Sequence, residues 1–507
     1  MRIWQSVCKR KEVSKMRIIC VYDNHVAANI FIKNIIGQKT FGEVILKRKS
    51  IKSKFLSFVK KQLIIDEILE LDYDWQVDAL INRVGQIGND NTHIVHIFSN
   101  FVIVDDESVS LLLRKLPYIE ENYLYLCGEI PALFMMNDVK KYCQFLQKHA
   151  DSLQNKEVYL NSNSDKKFES IETNMFLDLG IYSNFLQYIS GGFDTRFFNS
   201  VKGDEFTVIK SSNDKKKIKA EYQFYHLLPD YMKMWFVMPY NYQEKADSAS
   251  YEMERYHMTD LAIRWVHGAI ALDEFEKLLN KTFHFIHIRK EKVVSQEEYE
   301  SIEKKIFLDK LDERVAALKN HEQFYLFENY IKSGTKYADL DNIVEHYKAL
   351  YRQISSIMDK KYVSVIGHGD LCFSNMLFNK EADLLKLIDP KGAMEEAQLW
   401  TNPYYDVAKL SHSICGRYDF FNNGLHHISL DTDLLFKLDI DFDNTDYKKM
   451  FKEYVEKSGF SYIAVRIYEA SLFLSMLPLH MDNPQKVFGF VLNAVDILGE
   501  IETCLKK

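Results

Sequence analysis

Residues 365–393 read VIGHGDLCFSNMLFNKEADLLKLIDPKGA, and this stretch decides the fold of the larger part of the chain. An apolar run ends in a loop that carries His368, Asp370 and Asn375 in an HxDxxxxN arrangement. Asp389 then ends a hairpin whose turn spans Asn379 to Asp383. Phosphoryl transfer needs this set: one carboxylate to orient and deprotonate an attacking hydroxyl, and two oxygen ligands to hold magnesium against nucleotide phosphates. Hard oxygen donors suit magnesium better than zinc. Asn375, five residues beyond Asp370, can return to the metal, and the hairpin is expected to bring Asp389 alongside it.

Upstream, from Leu186, the sequence reads as strands joined by tight turns: LQYIS, the pair Gly191-Gly192, RFFNSV, a turn at Lys202 to Asp204, and EFTVIK, which ends at Lys210. The spacing then predicts a helix over Asp214 to Leu228. Ser212, Asn213 or Asp214 can serve as its N-cap, Pro229 as its stop, and Ile218, Tyr222, Tyr225 and Leu228 as its apolar stripe. WFVMPY and ASYEME follow as two more strands. Residues from Thr259 to about Lys360 read as mostly helical, and the last hundred residues do so again. Between Arg17 and about Asn161, apolar runs such as RIICVY, VILKRK, THIVHIF and FVIV alternate with helical patterns, the longest from about Ser53 to Val84. That alternation predicts an α/β domain with a mostly parallel sheet, ending near Tyr182 after a polar linker at 151–170. Residues 1–16 are basic and polar, and are expected to form a disordered extension or to reflect a true start at Met16.

The 507 residues imply two to four domains. With 34 Phe, 30 Tyr and 5 Trp the chain can bury a large core, which excludes disorder as its main state. The net charge of -7 gives no overall attraction to nucleic acid or to anionic lipid, so any anion must be held by a local site. Seven scattered cysteines with no CxxC fit neither a disulfide framework nor a zinc knuckle, and point to a cytoplasmic location. No run of 18 apolar residues predicts a membrane span.

HGDLCFSNML and LIDP resemble the two central motifs of the aminoglycoside phosphotransferase and choline kinase family, the small-molecule branch of the protein-kinase-like fold. The resemblance covers about residues 183–507. It implies an α/β N-terminal domain (17–182) followed by a bilobal α+β phosphotransferase domain, with 183–258 as the smaller lobe and 259–507 as the helical lobe. Within that domain it implies ATP and Mg2+ as nucleotide and metal, Asp370 as catalytic base, His368 as a brace of the catalytic loop, and Asn375 and Asp389 as magnesium ligands. ISGGFDTRFF (189–198) resembles the family's phosphate loop, in which Gly191 and Gly192 let backbone N–H groups approach phosphate oxygens; a Gly-Gly pair also serves ordinary hairpin turns. Lys210 would be held over the phosphates by Glu221, although Lys219 and its charged neighbours offer that glutamate other partners. SYEMERYHM (250–258) falls at the family's hinge, with Glu254 and Tyr256 beside adenine and Met253 packed nearby. Asp406 in NPYYDVAKL resembles the buried aspartate that ties the catalytic loop to the next helix. Glu395, His412, Arg417, Tyr418 and Asp419 are polar candidates for acceptor selection, or else caps and surface groups.

The first domain faintly resembles sugar nucleotidyltransferases, with two departures: no glycine- and arginine-rich loop follows RIICVY, and Asn100 stands where a metal-binding aspartate is expected, though Asp105 and Asp106 follow. A degenerate or substrate-presenting domain is the expectation. There is no GxxxxGK[ST] and no GxGxxG after a strand. His93/His96 and His284/His287 lack HExxH context and read as packed or surface histidines. Asp389 is followed by Pro390-Lys391-Gly392, with no DFG or APE, which favours a small-molecule acceptor over a protein. The leading expectation is an ATP- and magnesium-dependent kinase of a small polar alcohol, with capsule or surface-polysaccharide synthesis as the setting that the resemblance implies. Its alternatives are a pseudokinase-like scaffold and a bifunctional nucleotidyltransferase-kinase.

Overall fold

The computed structural model describes residues 17–62, 64–87, 92–150, 153–160, 168–189, 199–203 and 206–506. The expectations for residues 1–16 and for Gly191 and Gly192 lie outside the described residues. The chain divides into two compact units, Met1–Ile189 and Ser190–Lys507.

In the first unit, β1 (Arg17–Asp23) is buried at every position after Arg17, and THIVHIF of Thr92–Phe98 is buried throughout. Near-continuous apolar runs of this kind suit strands covered on both faces. With β2 (Glu67–Leu71), β3 (Thr92–Phe98), β4 (Asn122–Cys127), β5 (Ile130–Met136) and β6 (Phe168–Glu172), the sheet order is β2-β1-β3-β5-β4-β6. β1 runs parallel to β2 and β3, and β4 parallel to β6. β5 is antiparallel to both of its neighbours. Five of the six strands therefore run in one direction, as a mostly parallel sheet requires, and only β5 runs against them. The reason is local: the short turn through Gly128, at φ 65°, returns the chain directly from β4 into β5.

The first unit differs from expectation in two elements. The helical stretch from Ser53 to Val84 is two helices, Ile51–Val59 and Val77–Gln86, separated by β2, because EILEL pairs in register with β1. LQYIS is not a strand: Tyr182–Ile189 is a helix whose Phe185 and Ile189, four apart, are buried on one face.

The second unit begins with β7 (Asn199–Gly203), β8 (Thr207–Ser212), β9 (Pro239–Glu244) and β10 (Ala249–Glu254), an antiparallel sheet in the order β7-β8-β10-β9. Helix α1 (Lys215–Leu227) lies between β8 and β9 in sequence, and the Asp214 carboxylate accepts the Lys217 amide at 3.0 Å as its N-cap. Its buried face is Ile218, Glu221 and Phe224, while Tyr222 and Tyr225 are only partly covered. Ile218 and Leu228 of the expected stripe are buried, Tyr222 and Tyr225 lie at its partly covered margin, and Glu221 is buried together with Phe224.

The remainder is mainly helical: α2 (Leu272–Ile288), α3 (Leu340–Ile357), α4 (Tyr404–Ile414), α5 (Tyr462–Met476) and α6 (Pro484–Leu505) contribute to one core. The hairpin of β11 (Met376–Asn379) and β12 (Leu384–Leu387) packs its Met376, Phe378, Leu385 and Leu387 into the same core. The C-terminal hundred residues are not wholly helical. His427–Leu430 and Phe436–Asp439 form a hairpin, closed where the Asp431 carboxylate accepts the amides of Asp433 and Leu435. Among the described residues one segment, Tyr462–His480, is long and apolar enough to cross a membrane by length and composition; it is mostly buried within this core.

Candidate active site

The loop after Val363–Ile366 is held from beneath by one carboxylate. Asp406, fully buried on α4, accepts the amide of His368 at 3.0 Å and that of Gly369 at 2.9 Å, and it pairs with the Arg289 guanidinium at 3.0 Å. Gly369 has φ 80°, and a Cβ there would lie 2.5 Å from Lys391 Cβ, so this turn takes glycine for both conformational and steric reasons. The His368 ring fixes the loop from above. Its Nδ1 accepts the Asp370 amide at 3.2 Å, which leaves Nε2 to donate to the Ile388 carbonyl at 2.9 Å. The ring stacks on Phe236 at 5.7 Å, and burial pushes its basicity below the usual imidazole range. A neutral, doubly anchored imidazole spans the loop and the end of the hairpin, which is the geometry of a brace.

Asn375 donates its amide nitrogen to the Asp370 carbonyl at 2.9 Å and to Asp370 Oδ2 at 3.1 Å. Both acceptors are oxygens, so the side-chain oxygen of Asn375 is the atom left for a ligand. The hairpin register pairs Met376 with Leu387, and the Ile388 amide donates to the Asn375 carbonyl at 3.0 Å. Asp389, the next residue, therefore stands beside Asn375. It is a non-glycine residue in the left-handed region, φ 54°, a conformation that surrounding structure must enforce.

Lys210 Nζ lies 2.7 Å from Asp389 Oδ1 and 2.7 Å from Glu221 Oε2. Burial opposes its charge, and the carboxylates of Asp389 and Glu221 outweigh that effect and raise its proton affinity. The Tyr251 hydroxyl donates to Glu221 Oε2 at 3.1 Å, whereas Lys217 approaches the other oxygen only to 3.9 Å. The Ala393 amide donates to the Ala220 carbonyl at 2.9 Å, so the segment after Asp389 touches α1 next to Glu221. The structure thus brings Asp370, Asn375, Asp389, Lys210, Glu221 and His368 into one connected set.

Met253 is the third residue of the β10 run Tyr251–Glu254 and lines a recess with Glu221, Phe236, Tyr251, Leu387 and Asp389. Glu254 ends β10 and is exposed; Tyr256, just beyond it, carries the Lys386 ammonium 5.6 Å from its ring centre. Among the acceptor candidates, Glu395 is exposed and Arg417 and Tyr418 are partly buried. His412 is buried against the rings of Tyr418 and Phe473, at 4.2 and 4.3 Å. Asp419 is also buried, and burial pushes its carboxyl up to about 7, with Asp260 and Asp370 adding to the rise.

Four contributors were not singled out by the sequence reading: Phe236, Tyr251, Arg289 and Lys409. Lys409 had a signal. It follows Asp406 by three residues, and a helix that turns Asp406 to the loop turns Lys409 the same way.

In the first unit Asn100 donates to Asp178 Oδ1 at 3.0 Å, and Asp105 caps the helix Asp106–Lys115 through the Ser108 amide. His96 bonds Asp23 and Tyr142, whereas His93 bonds the Ile119 carbonyl. His284 lies on α2 beside the Trp235 ring, and His287 reaches the Ser458 hydroxyl. Among the described residues no group of three His, Cys, Asp or Glu is placed to hold a metal.

No family model and no curated protein matches the chain. Solved structures to which it is similar include protein-kinase-like phosphotransferases. One is a thermostable mutant of the aminoglycoside phosphotransferase APH(4)-Ia in its apo form, at 10% identity and TM-score 0.32, covering 62% of this chain and 94% of that one. Another is a ternary complex of the same enzyme with ADP and hygromycin B, at 12% identity and TM-score 0.34, covering 62% and 96%. A third is a putative fructosamine-3-kinase from Haemophilus somnus 129PT, at 11% identity and TM-score 0.34, covering 60% and 90%. With every one of these TM-scores below 0.5, the roles of individual residues rest on the chain's own geometry.

Proposed function

We propose that the second unit is a bilobal, protein-kinase-like phosphotransferase that moves the γ-phosphoryl group of ATP, with magnesium, to a hydroxyl of a small polar molecule such as a sugar, an amino alcohol or a surface-glycan precursor. The observation that carries this reading is the connected set of Asp370, Asn375, Asp389 and the Lys210–Glu221 pair. Asp370 would receive the acceptor hydroxyl and its proton. Lys210, kept cationic by two carboxylates, would steady the nucleotide phosphates. Asn375 and Asp389 offer hard oxygens, and the donor set fits magnesium, which would neutralise phosphate charge when bound. His368 and Asp406 would hold the loop rather than react. The absence of DFG and APE supports a small acceptor. The first unit would present substrate or scaffold the enzyme, in keeping with Asn100 and Asp105 already being engaged. A cytoplasmic role in capsule or surface-polysaccharide synthesis is part of the same proposal.

The test is ATP turnover by the full chain with magnesium and a panel of small alcohols, compared with Asp370→Ala. Loss of a general base predicts a fall of about 10²–10⁴-fold in the variant. Equal turnover in both proteins would remove Asp370 from the mechanism and the reading with it.

A further inference from the structure

Lys409, on α4, meets the Asp370 carboxylate. Its Nζ lies 2.9 Å from Asp370 Oδ1, and its side chain is 13% exposed against 41% for Asp370. Asn375 holds the other oxygen, Oδ2. The carboxylate is therefore gripped at both oxygens, by the Asn375 amide and by the Lys409 ammonium. Cys372, Tyr405, His412 and Tyr418 are among the electrostatic neighbours of Lys409, and these four lie outside the four-stranded sheet. Lys210, by contrast, comes from that sheet. Two cations from different elements thus reach the candidate site, Lys210 at Asp389 and Lys409 at Asp370.

Stability alone is a poor account of this placement. Taking an ammonium and a carboxylate out of water costs about as much as their attraction returns, so a buried pair is weak evidence of a structural role. In a phosphoryl transfer, however, negative charge is spread over the oxygens of the moving group, and catalysis comes chiefly from positioned positive charge. Charge is needed where the group departs and also where it arrives.

We propose that Lys409 is a second catalytic cation, placed on the acceptor side of Asp370, which stabilises the phosphoryl group as it reaches the acceptor hydroxyl; the assignment rests on the phosphotransfer reading above. In that step the acceptor oxygen bonds to the γ-phosphorus while the bond from that phosphorus to the β–γ bridging oxygen breaks. The nucleoside diphosphate leaves with the electron pair, and the hydroxyl proton passes to Asp370. Lys409, at ion-pair distance from that carboxylate, donates to a phosphoryl oxygen on the arriving side, complementary to Lys210 on the departing side.

The experiment compares the wild-type full chain with Lys409→Met, Lys409→Arg and Asp389→Asn in binding MgADP alone and MgADP with aluminium fluoride, a planar analogue of the moving phosphoryl group. Lys409→Met is expected to keep its affinity for MgADP and to lose about 10²-fold for the fluoroaluminate complex. Lys409→Arg, which retains the charge, is expected to recover part of that loss. Unchanged fluoroaluminate affinity in Lys409→Met, with Asp389→Asn losing it, would overturn this assignment and leave the phosphotransfer reading standing. Equal losses in the Met and Arg variants would overturn it as well, because charge would then not be the cause. If the wild-type chain binds no magnesium nucleotide, both readings fall. Should Lys409→Met not fold, Lys409→Gln replaces it with the same readout.

Discussion

Asp419 shows how one buried residue makes the molecule sensitive to pH. It is 1% exposed, and its Oδ2 has no hydrogen-bond partner among the described residues. Burial pushes its carboxyl from the ordinary 3.8 up to about 7 in the folded chain. Below the ordinary value both folded and unfolded chains hold the proton. Between the ordinary value and about 7 the folded chain keeps a proton that the unfolded chain has released, so stability falls as pH rises through this window and levels off above it. Asp419→Asn removes the titration. The variant is expected to melt higher than wild type at pH 8, by about 2 °C or more, and the difference is expected to close towards pH 4. Thermal unfolding followed across that range checks it; a difference that stays constant with pH would mean that Asp419 is not held protonated by the fold. Asp370, a neighbouring carboxylate, behaves in the opposite sense. Partial burial opposes its charge, and the Lys409 ammonium more than offsets that, holding the carboxyl below the usual carboxylate range. Two aspartates of one buried region are thus driven apart by the presence or absence of a cation.

At the scale of elements, α1 connects the small sheet to the hairpin. Its Ile218 packs with Ala249 and Tyr251 of β10, its Phe224 joins the helical core, and Glu221 between them reaches Lys210. The helix therefore positions the lysine from the middle of a packed face, with Tyr251 orienting the carboxylate. Gly392, at φ 85°, lets the segment after Asp389 approach Ala220, where a Cβ would meet backbone at 3.0 Å. Glu221→Gln keeps the shape and removes the charge. A hydrogen bond to a charged group contributes about 1.5–3 kcal/mol, so the KM for MgATP is expected to rise roughly 10-fold or more while the fold remains intact. Nucleotide titration beside a circular dichroism spectrum reads both, and an unchanged KM would detach Glu221 from nucleotide binding. Helix α4 works in a similar way, since Asp406 holds His368 and Gly369 and Lys409 holds the next residue, Asp370.

At the scale of the whole molecule, each unit has its own apolar core. One cluster joins the two faces of the six-stranded sheet in the first unit, and the other joins the helices of the second; they share no residue. A ligand that binds only the second core's unit should stabilise that unit and leave the other as it was. Calorimetry of the full chain with a non-hydrolysable magnesium nucleotide at about 100 times its dissociation constant should move one unfolding transition up by the equivalent of about 2.7 kcal/mol and leave a second in place. A nucleotide shift confined to the transition assigned to residues 17–189 would place the nucleotide in the first unit.

Sequence by itself determined the loop and hairpin of the candidate site, because their spacing is local: His368, Asp370, Asn375 and Asp389 are set within one strand–loop–hairpin stretch. It also determined the helix after Lys210, whose cap and stop are written next to it. The phase of that helix was a different matter. Tyr222 and Tyr225 were as apolar a choice as Phe224, and packing decided that Phe224 is the ring buried with Glu221. The breakup of Ser53 to Val84 into helix, strand and helix depended on β1 offering a parallel partner, and pairing between distant segments leaves no mark on a single segment's periodicity. Lys409 reaches Asp370 across 39 positions of sequence. Tertiary structure alone brought that ammonium to the carboxylate, since the free energy of a charge depends on what surrounds it in space and not on what precedes it in the chain.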